Sequence, residues 1–233
     1  MNLALLAVSG FVMNVKRYAA LLLADILHQF TFKNNSPMDG KTKRSMSLIG
    51  QVSIQNGKLV SPPGPGQRYH FGDVSFFGAG DFTYETMFTL MGNVVGEGAF
   101  LPSHWYNGGL SHLNNRFGIL VLPNGALQVV FARSGTAFDY TAYNTAAGVI
   151  QLGIDYHVVI ERYNGVIKVF VNGLEVLSWS QPAPLWWGEG GNFLTNDYYG
   201  TGYAASRVWN IRLAKRAMYQ HANVLPSVFP EIA

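Results

Sequence analysis

Short apolar stretches separated by turn signals follow one another along most of this sequence. The clearest example is YHVVIERYNGVIKVFVNGLEV, from Tyr156 to Val176, in which two Asn-Gly pairs interrupt runs of Val, Ile and Phe. Asn-Gly provides the two residues with positive φ that a type I′ turn requires, and β-branched and aromatic residues suit a pleated strand. The pattern predicts a three-stranded antiparallel meander, with strands at Tyr156–Arg162, Val166–Val171 and Leu174–Trp179.

The same alternation of strand-like runs and turns predicts an all-β fold for the rest of the chain. Further Asn-Gly pairs begin at residues 56, 107 and 124. Strand-like runs lie at Phe82–Thr89, Phe117–Leu122, Ala126–Arg133 and Arg207–Leu213. Many short strands with regular turns are typical of an antiparallel two-sheet sandwich or jelly roll. Only Lys16 to His28 fits a helix, and it fits the start of a strand equally well.

No linker divides the chain, because the Pro-Gly run at residues 62–66 is too short to join two domains. We therefore expect one jelly-roll domain at residues 19–233 with a short N-terminal extension, an arm at residues 1–18. The apolar run Leu3–Met13 is shorter than the roughly 20 residues that cross a bilayer. Its charges, Lys16 and Arg17, follow it, whereas the charges of a secretory signal precede the apolar stretch. We expect no membrane insertion.

The sequence leaves open whether the arm packs against the chain's own domain or against a neighbouring subunit. Only 12% of the 233 residues are charged, about half of the usual ~25%. Neutral surface of this extent favours a surface that is covered in an assembly. The sequence therefore predicts a homo-oligomer or a larger shell.

Charge and cysteine content exclude two classes of partner and site. The net charge is +3, and the densest basic run is only Lys41, Lys43 and Arg44. Nucleic-acid binding calls for a longer basic stripe with aromatic residues between the charges, so we expect no nucleic-acid partner. The chain has no cysteine, which excludes disulfides and cysteine-based zinc sites.

Five segments of the chain resemble the concanavalin A-like, laminin-G-like jelly rolls. GAGDFTYETMF (Gly78–Phe88) is similar to the GxGDFTxExW strand of that family, and the meander is similar to its WYHVAxxRxGxxLxLYVNG segment. SRVWNIRLAKRAMY (Ser206–Tyr219), the apolar tail VLPSVFP and FTFKNNSPMDG are similar to the copies in tailed-bacteriophage virion proteins. The resemblance spans residues 20–230.

This resemblance implies a bacteriophage virion structural protein, either a tail fibre or adhesin subunit or a capsid-decoration subunit. Its partners would be other virion proteins, further copies of itself and host cell-surface polysaccharide, and it would be located in the virion after assembly in the host cytoplasm. Since the same fold also carries lectins and glycanases, a dedicated carbohydrate-binding lectin and a divergent glycanase remain alternatives.

The distribution of acidic residues predicts that the chain is not an enzyme. Glycanases of this fold place cooperating carboxylates at alternate positions of one strand, where they share a face. No two of the thirteen acidic residues here are two positions apart, and Asp81 and Glu85 are the closest pair. Glu85 occupies the position of the Glu in the family's DFTxE motif. For this residue we favour a hydrogen-bonding role within the sandwich over a ligand contact.

Two loops, at residues 101–116 and 184–203, combine Trp or Tyr with Asn, Gly and His. A flat aromatic face and side-chain amides are the groups that bind sugars, and the same aromatic residues would also suit a protein interface. The candidate ligand-binding residues are Trp105, Tyr106, Asn192, Asn196, Tyr198 and Tyr199. The six histidines have no metal-binding spacing. Many proteins of this fold bind calcium through loop oxygens, for which Asn192, Asn196 and Asp197 are candidate donors, although their spacing is not diagnostic.

Overall fold

The computed structural model describes residues 25–70, 80–101, 103–105, 115–132, 140–185, 192–194 and 202–220. Within these ranges the elements are eighteen strands and one 3-10 helix, which confirms the predicted all-β class. No helix in the described ranges is long and apolar enough to cross a membrane. The predicted arm at residues 1–18 lies outside the described residues.

The strands are short, as the close spacing of turns predicts. In chain order they are β1 Ile26–Phe30, β2 Ser47–Ile49, β3 Ser53–Gln55, β4 Lys58–Ser61, β5 Arg68–His70, β6 Phe82–Leu90, β7 Val95–Gly96, β8 Ala99–Phe100, β9 Ser103–Trp105, β10 Asn115–Val121, β11 Leu127–Ala132, β12 Tyr140–Asn144, β13 Asp155–Tyr163, β14 Val166–Val171, β15 Leu174–Ser180, β16 Asn192–Leu194, β17 Gly202–Tyr203 and β18 Ser206–Ala214. The 3-10 helix, Lys33–Asn35, follows β1.

The larger sheet has eight strands in the order β15-β14-β13-β6-β18-β4-β3, and β1 also pairs with β18. The predicted meander forms one side of this sheet as β13, β14 and β15. Both of its turns have positive φ at Asn and at Gly, with 50° and 74° at Asn164 and Gly165 and 49° and 81° at Asn172 and Gly173. These are the signs that a type I′ turn requires, so the meander prediction is confirmed.

The smaller sheet has six strands in the order β12-β11-β10-β9-β16, and β8 also pairs with β10. All its pairings are antiparallel. Two further two-stranded sheets, β17-β7 and β2-β5, flank it. The two large sheets together form the predicted antiparallel sandwich.

The hydrophobic core lies between the two sheets. Alternate residues of β6, including Phe82, Tyr84 and Phe88, are buried against β10, and the Tyr84 ring meets Phe117 edge-on at 5.2 Å. The gap between the two edge strands β12 and β15 is closed by Tyr143 stacked on Trp179, with ring centroids 4.0 Å apart and planes at 14°. Because side chains alternate along a strand, the other face of β6 points away from the smaller sheet. We call it the outer face of the larger sheet.

A bulge in β18 decides which of its residues reach that outer face. The register with β6 shifts between Trp209 and Ile211, and Asn210 there has a φ of 56°. An extra residue on one strand reverses the alternation beyond it. Ile211 and Leu213 consequently join Val208 in the core, and Arg212 is turned to the outer face.

Candidate functional site

A buried polar cluster lies on the outer face of the larger sheet, centred on Glu85. The carboxylate is fully buried, and the Arg212 guanidinium contacts its Oε1. The Tyr219 hydroxyl donates to Oε2 at 2.6 Å and accepts a hydrogen bond from Arg212 at 2.7 Å. His157 Nε2 lies 3.2 Å from Oε2. The structure thus shows the hydrogen-bonding role expected for Glu85, although on the outer face and not between the sheets.

A second buried carboxylate, Glu161, lies beside Glu85 on the neighbouring strand. Glu161 is paired with Thr83, two residues before Glu85, so the two carboxylates are diagonal neighbours on one face. Glu161 Oε2 accepts the Tyr219 backbone N–H at 2.8 Å and lies 2.9 Å from the Thr83 hydroxyl. Spacing along one strand does not reveal this pair, because its members belong to different strands.

The Met218–Tyr219 segment docks on these two carboxylates. The Met218 N–H donates to the Thr83 hydroxyl at 2.9 Å, and Tyr219 reaches both glutamates. Burial, and next to it the negative charge of Glu85, raises the pKa of Tyr219 well above its usual value, which keeps the hydroxyl protonated as a donor. General acid–base catalysis needs a carboxyl group within hydrogen-bond reach of a substrate. Here both groups accept hydrogen bonds from protein donors and are shielded from solvent.

The structure places two of the predicted ligand-binding residues next to each other. Trp105 is the last residue of β9 and Asn192 the first residue of β16, and their backbones are direct partners in the antiparallel ladder. This pairing places the backbones of Trp105 and Asn192 side by side at the β16 edge of the smaller sheet. The chain leaves β9 after Trp105 and β16 after Leu194, at opposite ends of the ladder. Four predicted residues lie outside the described ranges, so the site as a whole remains a prediction: Tyr106, Asn196, Tyr198 and Tyr199.

A cleft of about 440 Å³ that the sequence analysis missed opens at one end of the sandwich. Three loops form it, and its lining residues are Leu90, Asn93, Val94, Val121, Leu122, Pro123, Asn124, Gly125, Ile150, Gln151 and Leu152. None of them is charged, and three carry side-chain amides. The same loops expose Met91, Val95, Leu152 and Ile154, each between 45% and 48% accessible. Isolated amides in separate loops form no sequence motif, which is why spacing did not reveal the cleft.

The composition of this cleft suits an uncharged ligand. Amide groups match hydroxyls, and the apolar side chains match the non-polar parts of a small molecule, which is the usual make-up of ligand pockets. The volume falls within the range of about 300–1,000 Å³ that such pockets have. Asn124 uses its side-chain oxygen to accept the Ala126 N–H at 3.0 Å, so the hydrogen-bonding edge of the cleft is held in place by the hairpin that joins β10 and β11.

Metal ligands do not gather in the part of the chain that the structure describes. No group of three or more His, Asp or Glu side chains within those residues is placed to hold an ion. Of the candidate calcium donors, Asn192 begins β16, whereas Asn196 and Asp197 lie outside the described residues. The calcium site therefore remains a prediction.

No protein-family model matches the sequence, and no curated protein matches it either. Solved structures do resemble the fold. The binding domain of Paraclostridial Mosquitocidal Protein 1 superposes with a TM-score of 0.65 at 13% identity, over 84% of this chain and 50% of that one. The botulinum neurotoxin serotype D ligand-binding domain, in complex with N-acetylneuraminic acid, gives 0.62 at 8% identity, over 88% and 52%. Trypanosoma rangeli sialidase, in complex with 2,3-difluoro-KDN, gives 0.61 at 13% identity, over 84% and 32%.

These similarities establish the sandwich fold and no more, because the identities are low. This chain spans about half the length of the two toxin binding domains and a third of the sialidase. The jelly-roll architecture expected from the sequence is confirmed. It is shared by ligand-binding domains and by a sialidase.

Proposed function

We propose that this chain is a non-catalytic virion subunit, part of a tail fibre, an adhesin or a capsid decoration, that contacts glycans on the host surface. One observation carries the non-catalytic part. Glu85 and Glu161, the buried carboxylates on adjacent strands of one face, are enclosed by Tyr219 and held by protein donors. A glycanase would need at least one of them open to a sugar and to water.

The glycan contact is supported by the pairing of Trp105 with Asn192 at the edge of the smaller sheet. An aromatic face and an amide from neighbouring strands are the elements that a sugar ring engages. The sandwich is also shared with a toxin domain bound to N-acetylneuraminic acid and with a type C neurotoxin whose cell entry depends on two ganglioside molecules. Those ligands belong to proteins twice as long as the matched region, and here they only support the choice of glycans as ligand class.

The virion assignment rests on the resemblance of Ser206–Tyr219 and of FTFKNNSPMDG to phage virion proteins, together with the low charge content. It implies other virion proteins as partners. Immunogold labelling of purified particles tests it directly, and we expect label at the tail or on the capsid. Particles that carry no label, in a lysate that contains the chain, would overturn the virion role.

Binding of the purified chain to isolated host surface polysaccharide tests the glycan contact. Trp105→Ala is expected to weaken this binding at least about tenfold, which corresponds to about 1.4 kcal/mol. Trp209→Ala is the matched control, because Trp209 is an aromatic residue of the other sheet that packs against Lys58. Equal weakening by the two variants would argue against a site at the β9–β16 edge. Release of reducing sugar by the wild-type chain would argue for the glycanase alternative.

The loop cleft favours a second candidate function, a dedicated lectin whose sugar site lies at the end of the sandwich. In that case the double substitution Asn93→Ala and Gln151→Ala would abolish polysaccharide binding while Trp105→Ala would leave it intact. Binding by the isolated chain to a defined oligosaccharide, in the absence of any virion association, would identify this lectin function.

A further inference from the structure

The two edge strands on one side of the sandwich differ in how they are protected. β15 ends the larger sheet and β12 ends the smaller one, and Trp179 and Tyr143 bring them together. An edge strand presents unpaired backbone groups, and proteins guard such strands with charges, bulges or short length. Glu175 of β15 forms an ion pair with Lys168 of β14 at 2.8 Å. β15 also has a register shift opposite Val169 and Phe170.

β12 has none of these protections. Its five residues, Tyr140–Asn144, pair with β11 in continuous register, and the sequence YTAYN contains no charge, Pro or Gly. The edge strands at the far ends of the two sheets, β3 and β16, have only three residues each. Of the four strands that end the two sheet orders, β12 therefore combines the length, the regularity and the neutrality that favour pairing with another strand.

The hydrogen-bond alternation shows which groups β12 offers. The Thr145 N–H donates to the Leu127 carbonyl at 2.9 Å, which makes this pair a hydrogen-bonded one. In an antiparallel ladder such pairs alternate with non-bonded ones, so the N–H and C=O groups of Tyr140, Ala142 and Asn144 point away from β11. The side chains of these three residues are exposed, and Tyr140 is 41% accessible.

We propose that β12 pairs antiparallel with β12 of a second copy of this chain, which joins the two smaller sheets into one continuous sheet. With the twofold axis at Ala142, Ala142 faces its own copy and Tyr140 faces Asn144 of the second copy. Every outward N–H and C=O then finds a partner. In an isologous contact only the residue on the twofold axis faces its own copy, so a charge at position 142 would meet a like charge there. The neutral YTAYN strand with a small residue on the axis avoids that repulsion.

This proposal rests on the proposed role as a virion subunit. It names the surface through which copies of the predicted homo-oligomer meet. Its readout is the mass of the purified chain, which is separate from glycan binding and from location in the particle. A single strand pair buries little area, so we expect a weak, concentration-dependent dimer. Light scattering should show the mass rising from 25.6 kDa towards twice that value at protein concentrations on the order of 100 µM.

Two substitutions at Ala142 test the pairing, each with a control on β15. Ala142→Lys places two positive charges at the axis and is expected to return the mass to one chain, whereas Ser178→Lys, on the exposed edge of β15, should leave it unchanged. Ala142→Cys provides the only cysteine of the chain. Partners in a hydrogen-bonded pair have Cα atoms about 5.5 Å apart, a distance that a disulfide spans.

Mild oxidation should therefore convert Ala142→Cys, but not Ser178→Cys, into a covalent dimer. Circular dichroism of each variant checks that the sandwich is retained. A wild-type mass of one chain at every concentration would overturn the proposal. A dimer that persists in Ala142→Lys would also overturn it. A dimer that is lost in Ala142→Lys but does not cross-link in Ala142→Cys would show that β12 meets a different surface, which contradicts self-pairing.

Discussion

The outer face of the larger sheet and the loop cleft use polar groups in opposite ways. On the outer face, Glu85, Glu161 and Arg212 are buried and bonded to one another or to Tyr219. In the cleft, the amides of Asn93 and Gln151 lie at the surface beside exposed apolar residues. The outer face thus uses charged groups to hold strands and the segment after β18 together, whereas the cleft leaves neutral amides facing solvent. The buried charges of the outer face therefore mark a structural cluster, and the neutral cleft is a candidate binding surface.

Removing the carboxylate of Glu85, at the centre of the outer-face cluster, should cause the largest loss of stability. Glu85→Ala leaves Arg212 buried without its counter-ion, and the loss of one member of a buried ion pair costs about 3–5 kcal/mol. We expect that decrease in the free energy of unfolding, measured by urea denaturation. Glu175→Ala is the control, since it removes an ion pair on an exposed strand and should cost less than about 1 kcal/mol. Equal losses for the two variants would show that the outer-face cluster is not a structural centre.

Asp39 tests whether a buried carboxylate elsewhere in the chain also stabilises the fold. Burial raises its pKa, but hydrogen bonds from His28, the Gln29 and Lys41 backbones and the Thr42 hydroxyl outweigh burial and leave the pKa below its usual value of 3.8. Asp39→Asn should cost about 1.5–3 kcal/mol at neutral pH, as expected for hydrogen bonds to a charged group. Because the folded pKa is depressed, this stabilisation is fully present above pH 3.8 and is lost as the pH falls through the folded value.

Denaturation of wild type and Asp39→Asn at a series of pH values checks the sign of that effect. The stability difference between the two proteins should shrink as the pH falls below about 4. A difference that instead grows below about pH 4 would mean that the carboxylate is destabilised in the folded state and that the hydrogen bonds around it do not outweigh its burial.

A smaller effect should come from the hydroxyl that closes the cluster. Tyr219→Phe keeps the ring but removes the donor to Glu85 and the acceptor for Arg212, while those two side chains still contact each other. We expect a loss of about 1–2 kcal/mol in the free energy of unfolding. Tyr140→Phe on the exposed edge of β12 should change stability by less than about 0.5 kcal/mol. A Tyr219→Phe protein as stable as wild type would show that the hydroxyl does not stabilise the fold.

The cleft should respond least of all in stability. Gln151→Ala and Asn93→Ala each remove an exposed amide, and surface substitutions of this kind usually stay within about 0.5 kcal/mol. Thermal denaturation of both variants measures this. Destabilisation above about 1 kcal/mol would show that the cleft amides support the loops, and the contrast between a structural face and a candidate binding surface would then fail.

Local features of the fold were predictable from the sequence because they depend on neighbouring residues alone. Asn-Gly at residues 164–165 and 172–173 determined the turns of the meander, and β-branched runs determined its strands. Segments whose alternation is interrupted were harder. In RVWNIRLA, strict alternation places Val208 and Arg212 on one face, but the bulge at Asn210 separates them. No local pattern distinguishes an Asn that makes a bulge from an Asn in a regular strand.

The candidate sites were less predictable, since they depend on which strands become neighbours. Trp105 and Asn192 were selected for their residue types, and only the pairing of β9 with β16 shows that their backbones are neighbours. Glu161 was not connected with Glu85, because the two residues belong to different strands. The cleft combines side chains from three distant loops, and none of those loops differs from an ordinary connection when read alone.

The pairing of β1 with β18 has a mechanical consequence. Ile26 lies opposite Ala214, the Lys215 N–H donates to the Asp25 carbonyl at 3.0 Å, and Arg216 forms an ion pair with Asp25 at 3.0 Å. The chain therefore enters and leaves this antiparallel pair at the same end. Tension applied between residues 25 and 216 acts across the hydrogen bonds and opens them one after another, as a zip opens, whereas tension along the strands would load them all together. Under tension in this direction, β1 would separate first while Tyr219 still anchors the segment that follows β18.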